Sequence, residues 1–132
     1  MSQQRSLIVG AHFRPPAKGL LAALPAGSKL LLRREASNAY DANALQVIWP
    51  TSGLNAELAT GLMRDDVQKN VEGFGSSADE VFAAPEWHLG YIPRTEAAQI
   101  APLMDAAQCV ELPGELTFAA TGGAQIQFEV PE

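Results

Sequence analysis

The sequence predicts a mostly β domain with two or three helices, and three observations lead there. Short apolar runs bounded by Gly, Pro, Asn and Asp recur along the chain, as strands between turns do. The last run alternates Ile126, Phe128 and Val130 against Gln125, Gln127 and Glu129, the period of a half-buried strand. A length of 132 residues, 47% of them hydrophobic and 18% charged, suits one globular core that needs no metal or disulfide staple.

Ser6 to Phe13 is the first strand candidate, broken by Gly10 and closed by Pro15 and Pro16. Leu20, Leu21 and Leu24 then fall on a helical spacing that Pro25 and Gly27 stop. Ser28 to Arg34 reads as a buried strand, Asn38 to Asp41 as a turn of residues that bond their own backbone, and Ala44 to Trp49 as the next strand. Trp87 to Ile92 is strand-like, Pro93 to Gln108 is helical, and strands follow at Val110 to Ala119 and Ala124 to Val130. Pro102 is expected to kink the helix or divide it in two.

Pro50 to Glu86 is too long for an ordinary strand connection. It reads as an inserted helical and loop segment, at about 51–86, within a single domain spanning 1–132. Asn55 would cap a helix on which Leu58, Leu62, Met63, Val67 and Val71 share a face, and Gly73 would end it. Asp79 and Glu80 would open a second short turn.

The net charge of −6 hides an asymmetry. Residues 1–34 hold Arg5, Arg14, Lys18, Lys29, Arg33 and Arg34 with no acid, a charge of +6, and the remainder carries −12. The bases form either a positive face on an acidic body or a solvated edge. Several chemistries have no support. The glycines make no phosphate-cradling motif, and His12, His88 and Cys109 lack any metal-ligand spacing, so no metal or cofactor is expected. Cys109 beside Val110 reads as an inert thiol, and the acid pairs Asp65–Asp66 and Asp79–Glu80 point apart on a helix. A non-enzyme is expected. One cysteine, no secretory apolar region and no apolar run of about 18 residues predict a soluble, cytoplasmic protein without a membrane partner.

The informative run is Asn38-Ala39-Tyr40-Asp41-Ala42-Asn43-Ala44, which sets an aromatic, a carboxylate and two amides in a turn between apolar strands. The amides and the carboxylate serve the turn's own hydrogen bonds or a ligand. A phenol beside a carboxylate offers a stacking face with an acceptor at its edge, suited to a nucleoside with a free sugar hydroxyl.

These residues resemble the HIRAN domain family, which is found at the front of fork-remodelling DNA translocases and as free-standing small proteins. The resemblance covers Ile8-Val9-Gly10-Ala11-His12-Phe13, Leu31-Leu32-Arg33-Arg34-Glu35 with the run above, and Leu89-Gly90-Tyr91-Ile92-Pro93-Arg94. It implies a small OB-like or SH3-like β-barrel that binds single-stranded DNA at its 3′-hydroxyl end, a non-catalytic recognition module in DNA repair or processing with a helicase or nuclease as partner. By position, Tyr40 and Phe13 would clamp the terminal base and Asp41 would accept from the 3′-hydroxyl. Asn38 and Asn43 would support the turn or touch the sugar. Arg94, Tyr91 and His12 would meet phosphates, with Arg33 and Arg34 flanking the pocket. Phe13 and His12 stand where the best-understood members have tyrosine and arginine, which predicts weaker binding.

Structural roles compete with these. Tyr91 and Phe13 could fill the core, and Arg33 and Arg34 could be solvated strand ends. The inserted segment would either cover one barrel end with Leu58, Leu62 and Val67 or overhang the basic face with its acids. The alternative function is a protein-interaction module whose aromatic pocket takes a peptide carboxyl terminus, against which the like charge of Asp41 argues.

Overall fold

The computed structural model describes residues 2–11, 15–51 and 61–131. Among these the elements are β1 (Ser2–Leu7), α1 (Pro15–Ala23), β2 (Lys29–Arg34), β3 (Leu45–Pro50), α2 (Gly61–Val71), a 3₁₀ turn (Glu72–Phe74), α3 (Ala78–Ala83), β4 (Glu86–Tyr91), α4 (Arg94–Ala106), β5 (Glu111–Phe118) and β6 (Ala124–Val130). The strands form one antiparallel sheet in the order β1-β6-β5-β2-β3-β4. It is mostly β, as the sequence predicts, and it is a curled sheet compatible with an OB-like fold, not a closed barrel. Its two edges meet at one point, where Val9 and Tyr91 exchange backbone hydrogen bonds of 2.8 and 2.9 Å. Gly90 permits this approach, because a Cβ there would overlap the Val9 carbonyl.

Alternation places the core. Leu30 and Leu32 on β2, Leu45, Val47 and Trp49 on β3, and Ile126, Phe128 and Val130 on β6 point to one face and are buried together. Helix α4 adds Ala97, Ile100, Ala101 and Met104, which recur at helical spacing along one stripe. Helix α1 contributes Ala17 and Leu20, and Leu24 follows directly after it. The outer face carries cross-strand ion pairs such as Lys29 with Glu115 at 2.8 Å.

Three expectations need correction. The first strand is Ser2–Leu7 where Ser6 to Phe13 is expected, and His12 and Phe13 at the end of that range lie outside the described residues. Its polar residues form a strand because the ladder to β6 uses backbone groups, and only Ser6 is buried. The Ile8 N–H still donates to the Ala124 carbonyl of β6 at 3.0 Å, Val9 then leaves that ladder for Tyr91, and Gly10, at φ +84°, turns the chain. Pro102 does not split α4: it lies on the solvent side, as does Ala98, whose carbonyl loses its helical partner, so water can bond that oxygen. Gly75 and not Gly73 ends the 3₁₀ turn after α2, at φ +79° with its N–H on the Glu72 carbonyl at 3.1 Å. Val67, Val71, Ala78 and Val81 belong to the common core, so the described part of the inserted segment packs its apolar face into the fold. Asn55 and Leu58 lie outside the described residues. No described helix is long and apolar enough to cross a membrane.

Helices α1 and α2 pack so closely that a Cβ at Gly19 would overlap the Asn70 carbonyl. Overpacking against backbone costs about 1–3 kcal/mol, which exceeds the roughly 1 kcal/mol that alanine gains over glycine within a helix. Gly19→Ala is therefore expected to unfold at lower urea concentration than the parent. A variant of equal or greater stability would show that the two helices can part without loss.

Candidate nucleic-acid interface

The run 35–44 connects β2 to β3, and its polar residues are spent largely on its own backbone. The Glu35 N–H donates to the Ala44 carbonyl at 3.0 Å and the Ala44 N–H to the Asp41 carbonyl at 3.0 Å. Asn38 Oδ1 accepts from the Tyr40 and Asp41 N–H groups at 2.8 and 3.0 Å, and Asp41 Oδ1 accepts from the Asn43 N–H at 2.9 Å. These are two nested Asx turns, the local reason for Asn and Asp at this spacing. With the backbone satisfied in this way, the Tyr40 side chain is left outside, 90% exposed.

Around the turn lies a cleft of about 640 Å³. Its walls come from three places: Val9 beyond β1, the turn itself with Glu35, Asn38, Tyr40 and Asp41, and the β4–α4 junction with Tyr91, Ile92 and Arg94. The Val9–Tyr91 bridge is what joins the first of these to the third. The Asp41 side chain is 19% exposed, with Oδ2 at 3.8 Å from Arg94 Nε. Arg94 also donates from Nη2 to the Tyr40 carbonyl at 3.1 Å, yet 76% of its side chain remains in solvent. The Tyr91 hydroxyl donates to Glu35 Oε1 at 3.0 Å, and its ring meets that of His88 edge-on at 4.8 Å. One exposed aromatic face, one shielded acceptor and one accessible cation thus stand within a single cleft.

Of the ten sequence-predicted site residues, the structure brings Asn38, Tyr40, Asp41, Tyr91 and Arg94 to the cleft lining. Asn43 takes part through its backbone in the turn. His12 and Phe13 lie outside the described residues. Arg33 and Arg34 are engaged elsewhere. Arg33 leaves the outer face of β2 and pairs with Glu111 at 2.5 Å and with Glu86, to which Nη2 donates at 2.9 Å. Arg34 points to the core face, 9% exposed, and forks onto Asp105. Solvated strand ends describe neither. Glu35 is the site residue that sequence reasoning missed. A carboxylate directly after a wholly basic stretch, at the mouth of a strand, was the available signal.

The HIRAN domain model matches residues 3–130, nearly the whole chain. The chain belongs to the HIRAN domain family. HIRAN domains are in general DNA-binding modules. Two solved structures resemble this one: a protein from Lactobacillus plantarum, at 21% identity and a TM-score of 0.52 over 97% of this chain and all of that one, and the HIRAN domain of human HLTF. The latter is 16% identical, with a TM-score of 0.52 over 99% of this chain and 78% of that one. Both likenesses speak for the fold. Comparison with curated proteins gives no match.

Hydrogen bonds from Arg33 hold the Glu86 carboxyl below the usual range, with burial opposing them, while Glu86 and then Glu111 raise the Arg33 guanidinium. Because the folded pKa of Glu86 is depressed below an unfolded value of about 4.3, the pair stabilises the HIRAN fold above that value and ceases to do so as pH falls through the folded pKa. Arg33 stays protonated throughout. The stability gap between the parent and Arg33→Ala, about 1 kcal/mol or less at neutral pH for such partly exposed groups, should therefore narrow as the solution is acidified through the carboxylate range. A constant gap in urea titrations across that range would leave packing of the Arg33 stem as the cause.

Proposed function

We propose that this HIRAN domain binds single-stranded DNA at its 3′-hydroxyl end, as a non-catalytic recognition module that serves DNA repair or processing in the cytoplasm beside a helicase or nuclease. The observation that carries this reading is the exposed Tyr40 ring on the rim of the cleft that shields Asp41. A terminal base stacks on the ring without regard to its identity, since every base has a π-face. The sugar then falls beside Asp41, whose Oδ1 is occupied by the Asn43 N–H and whose Oδ2 can accept from a hydroxyl. A terminal phosphate at the same place meets two carboxylates, Asp41 and Glu35, and is disfavoured by like charge. Arg94, in the first turn of α4, reaches the penultimate phosphate from solvent. Phe13 and His12 supply the second clamp aromatic and a further phosphate contact by their place in the family motif.

With Arg33 and Arg34 committed to acids, Arg94 is the cation of the cleft lining among the described residues, so affinity is modest. Fluorescence anisotropy with short strands ending in 3′-hydroxyl or 3′-phosphate, and duplex as control, tests the reading; equal binding of all three would remove end recognition. Tyr40→Ala should weaken binding to the 3′-hydroxyl strand by about 1–3 kcal/mol, the loss of one stacking platform. A variant that binds like the parent would take Tyr40 out of the site. The log–log salt slope should be near −1.4 to −2.1, the value for about 2–3 neutralised phosphates on a single strand. A much steeper slope would require the paired arginines to leave their acids.

A further inference from the structure

We infer that Arg34 and Glu35 are positioning residues, which grip the recognition turn from its two sides and hold Tyr40 and Asp41 in place without touching DNA themselves. As sequence neighbours at the end of β2 they send their side chains to opposite faces of the strand. Glu35 takes the first half of the turn. Its Oε1 accepts from Asn38 Nδ2 at 2.5 Å and from the Tyr91 hydroxyl at 3.0 Å, and its Oε2 accepts from Gln46 Nε2. Asn38, so held, presents Oδ1 to the Tyr40 and Asp41 N–H groups.

Arg34 takes the second half. Its Nη1 donates to the Ala42 carbonyl at 2.6 Å, and Nε and Nη2 fork onto the two oxygens of Asp105 at 3.0 and 3.1 Å. That fork ties the turn to helix α4, whose first residue is Arg94. The guanidinium does this from three separate nitrogens in one plane, a spread that the single nitrogen of an ammonium does not reproduce. Both side chains have their hydrogen-bonding capacity directed inward, which leaves neither as the natural contact for a phosphate or sugar. A ligand that needs the ordered turn sees its affinity reduced by the fraction of time the turn is ordered.

The affinity arm of the test rests on the proposed DNA binding; the exchange arm does not. Amide hydrogen exchange at Tyr40 and Asp41, with the core amide of Val47 as control, is measured in the parent, Glu35→Ala, Glu35→Gln and Arg34→Ala, alongside anisotropy with a 3′-hydroxyl strand. Glu35→Ala and Arg34→Ala should speed exchange at Tyr40 and Asp41 but not at Val47. They should weaken binding about fivefold to tenfold, as a competent fraction of roughly 0.1–0.2 dictates, and shrink the preference over 3′-phosphate. Glu35→Gln keeps one acceptor and should recover most of the slow exchange and of the affinity for the 3′-hydroxyl strand, a rescue that general destabilisation would not produce. Unchanged exchange at Tyr40 and Asp41 in both alanine variants overturns the positioning role. A parent that binds no strand overturns the DNA reading instead, and the exchange result still decides the role of Arg34 and Glu35. Should an alanine variant not fold, Glu35→Gln and Arg34→Lys are read by the same exchange measurement, with Arg34→Lys expected to loosen the turn.

Discussion

The sheet of this domain has two edges, and the backbone contact between Val9 and Tyr91 brings them together. The curl of the sheet, the enclosure of the core and the existence of the cleft all depend on that contact. Without it β1 would lie beside β6 alone, and the residues after Leu7 would have no reason to stand opposite the β2–β3 turn. The contact is possible because position 90 has no side chain: any Cβ would occupy the space of the Val9 carbonyl. It also removes part of the edge-strand hazard, since the final residue of β4 pairs on both sides.

Charge is distributed by the same logic of enclosure. Among the described residues, most of the bases of the first third are engaged by other side chains. Lys29, Arg33 and Arg34 each meet an acid from a later strand or helix, and Arg5 donates to Gln127 at 2.9 Å. Apart from the shielded Arg34, these pairs lie partly in solvent and contribute little individually, but they bear on which cations remain for an anionic ligand. Arg94 remains, because its acid, Asp41, is 3.8 Å away and leaves the guanidinium mostly in solvent. An acidic protein can thus keep a cation exposed beside a shielded carboxylate, with little long-range steering of an anionic ligand.

Much of this was legible in the sequence because it is local. The period-2 alternation of β6, the Pro–Gly stop after α1 and the Asx turns at Asn38 and Asp41 each arise from interactions within a few residues. The strands β2, β3 and β4 and helix α4 were likewise expected within a residue or two of where they stand. Half of the candidate site, Asn38, Tyr40, Asp41, Tyr91 and Arg94, could be named from a motif that resembles the HIRAN family, because that motif packs its residues into two short runs.

What only the tertiary structure decided concerns partners far apart in the chain. The strand Ser2–Leu7 has no hydrophobic pattern of its own and is a strand because β6 offers it a ladder. Arg33 and Arg34 look alike in the sequence, and their fates are assigned by acids at 86, 105 and 111 that arrive from other elements. Glu35 gains its role from Asn38, Gln46 and Tyr91, of which only the first is a near neighbour. Periodicity and turn chemistry act over a few residues and can be read along a chain, whereas the pairing of a charge depends on which distant segment the folded sheet brings against it.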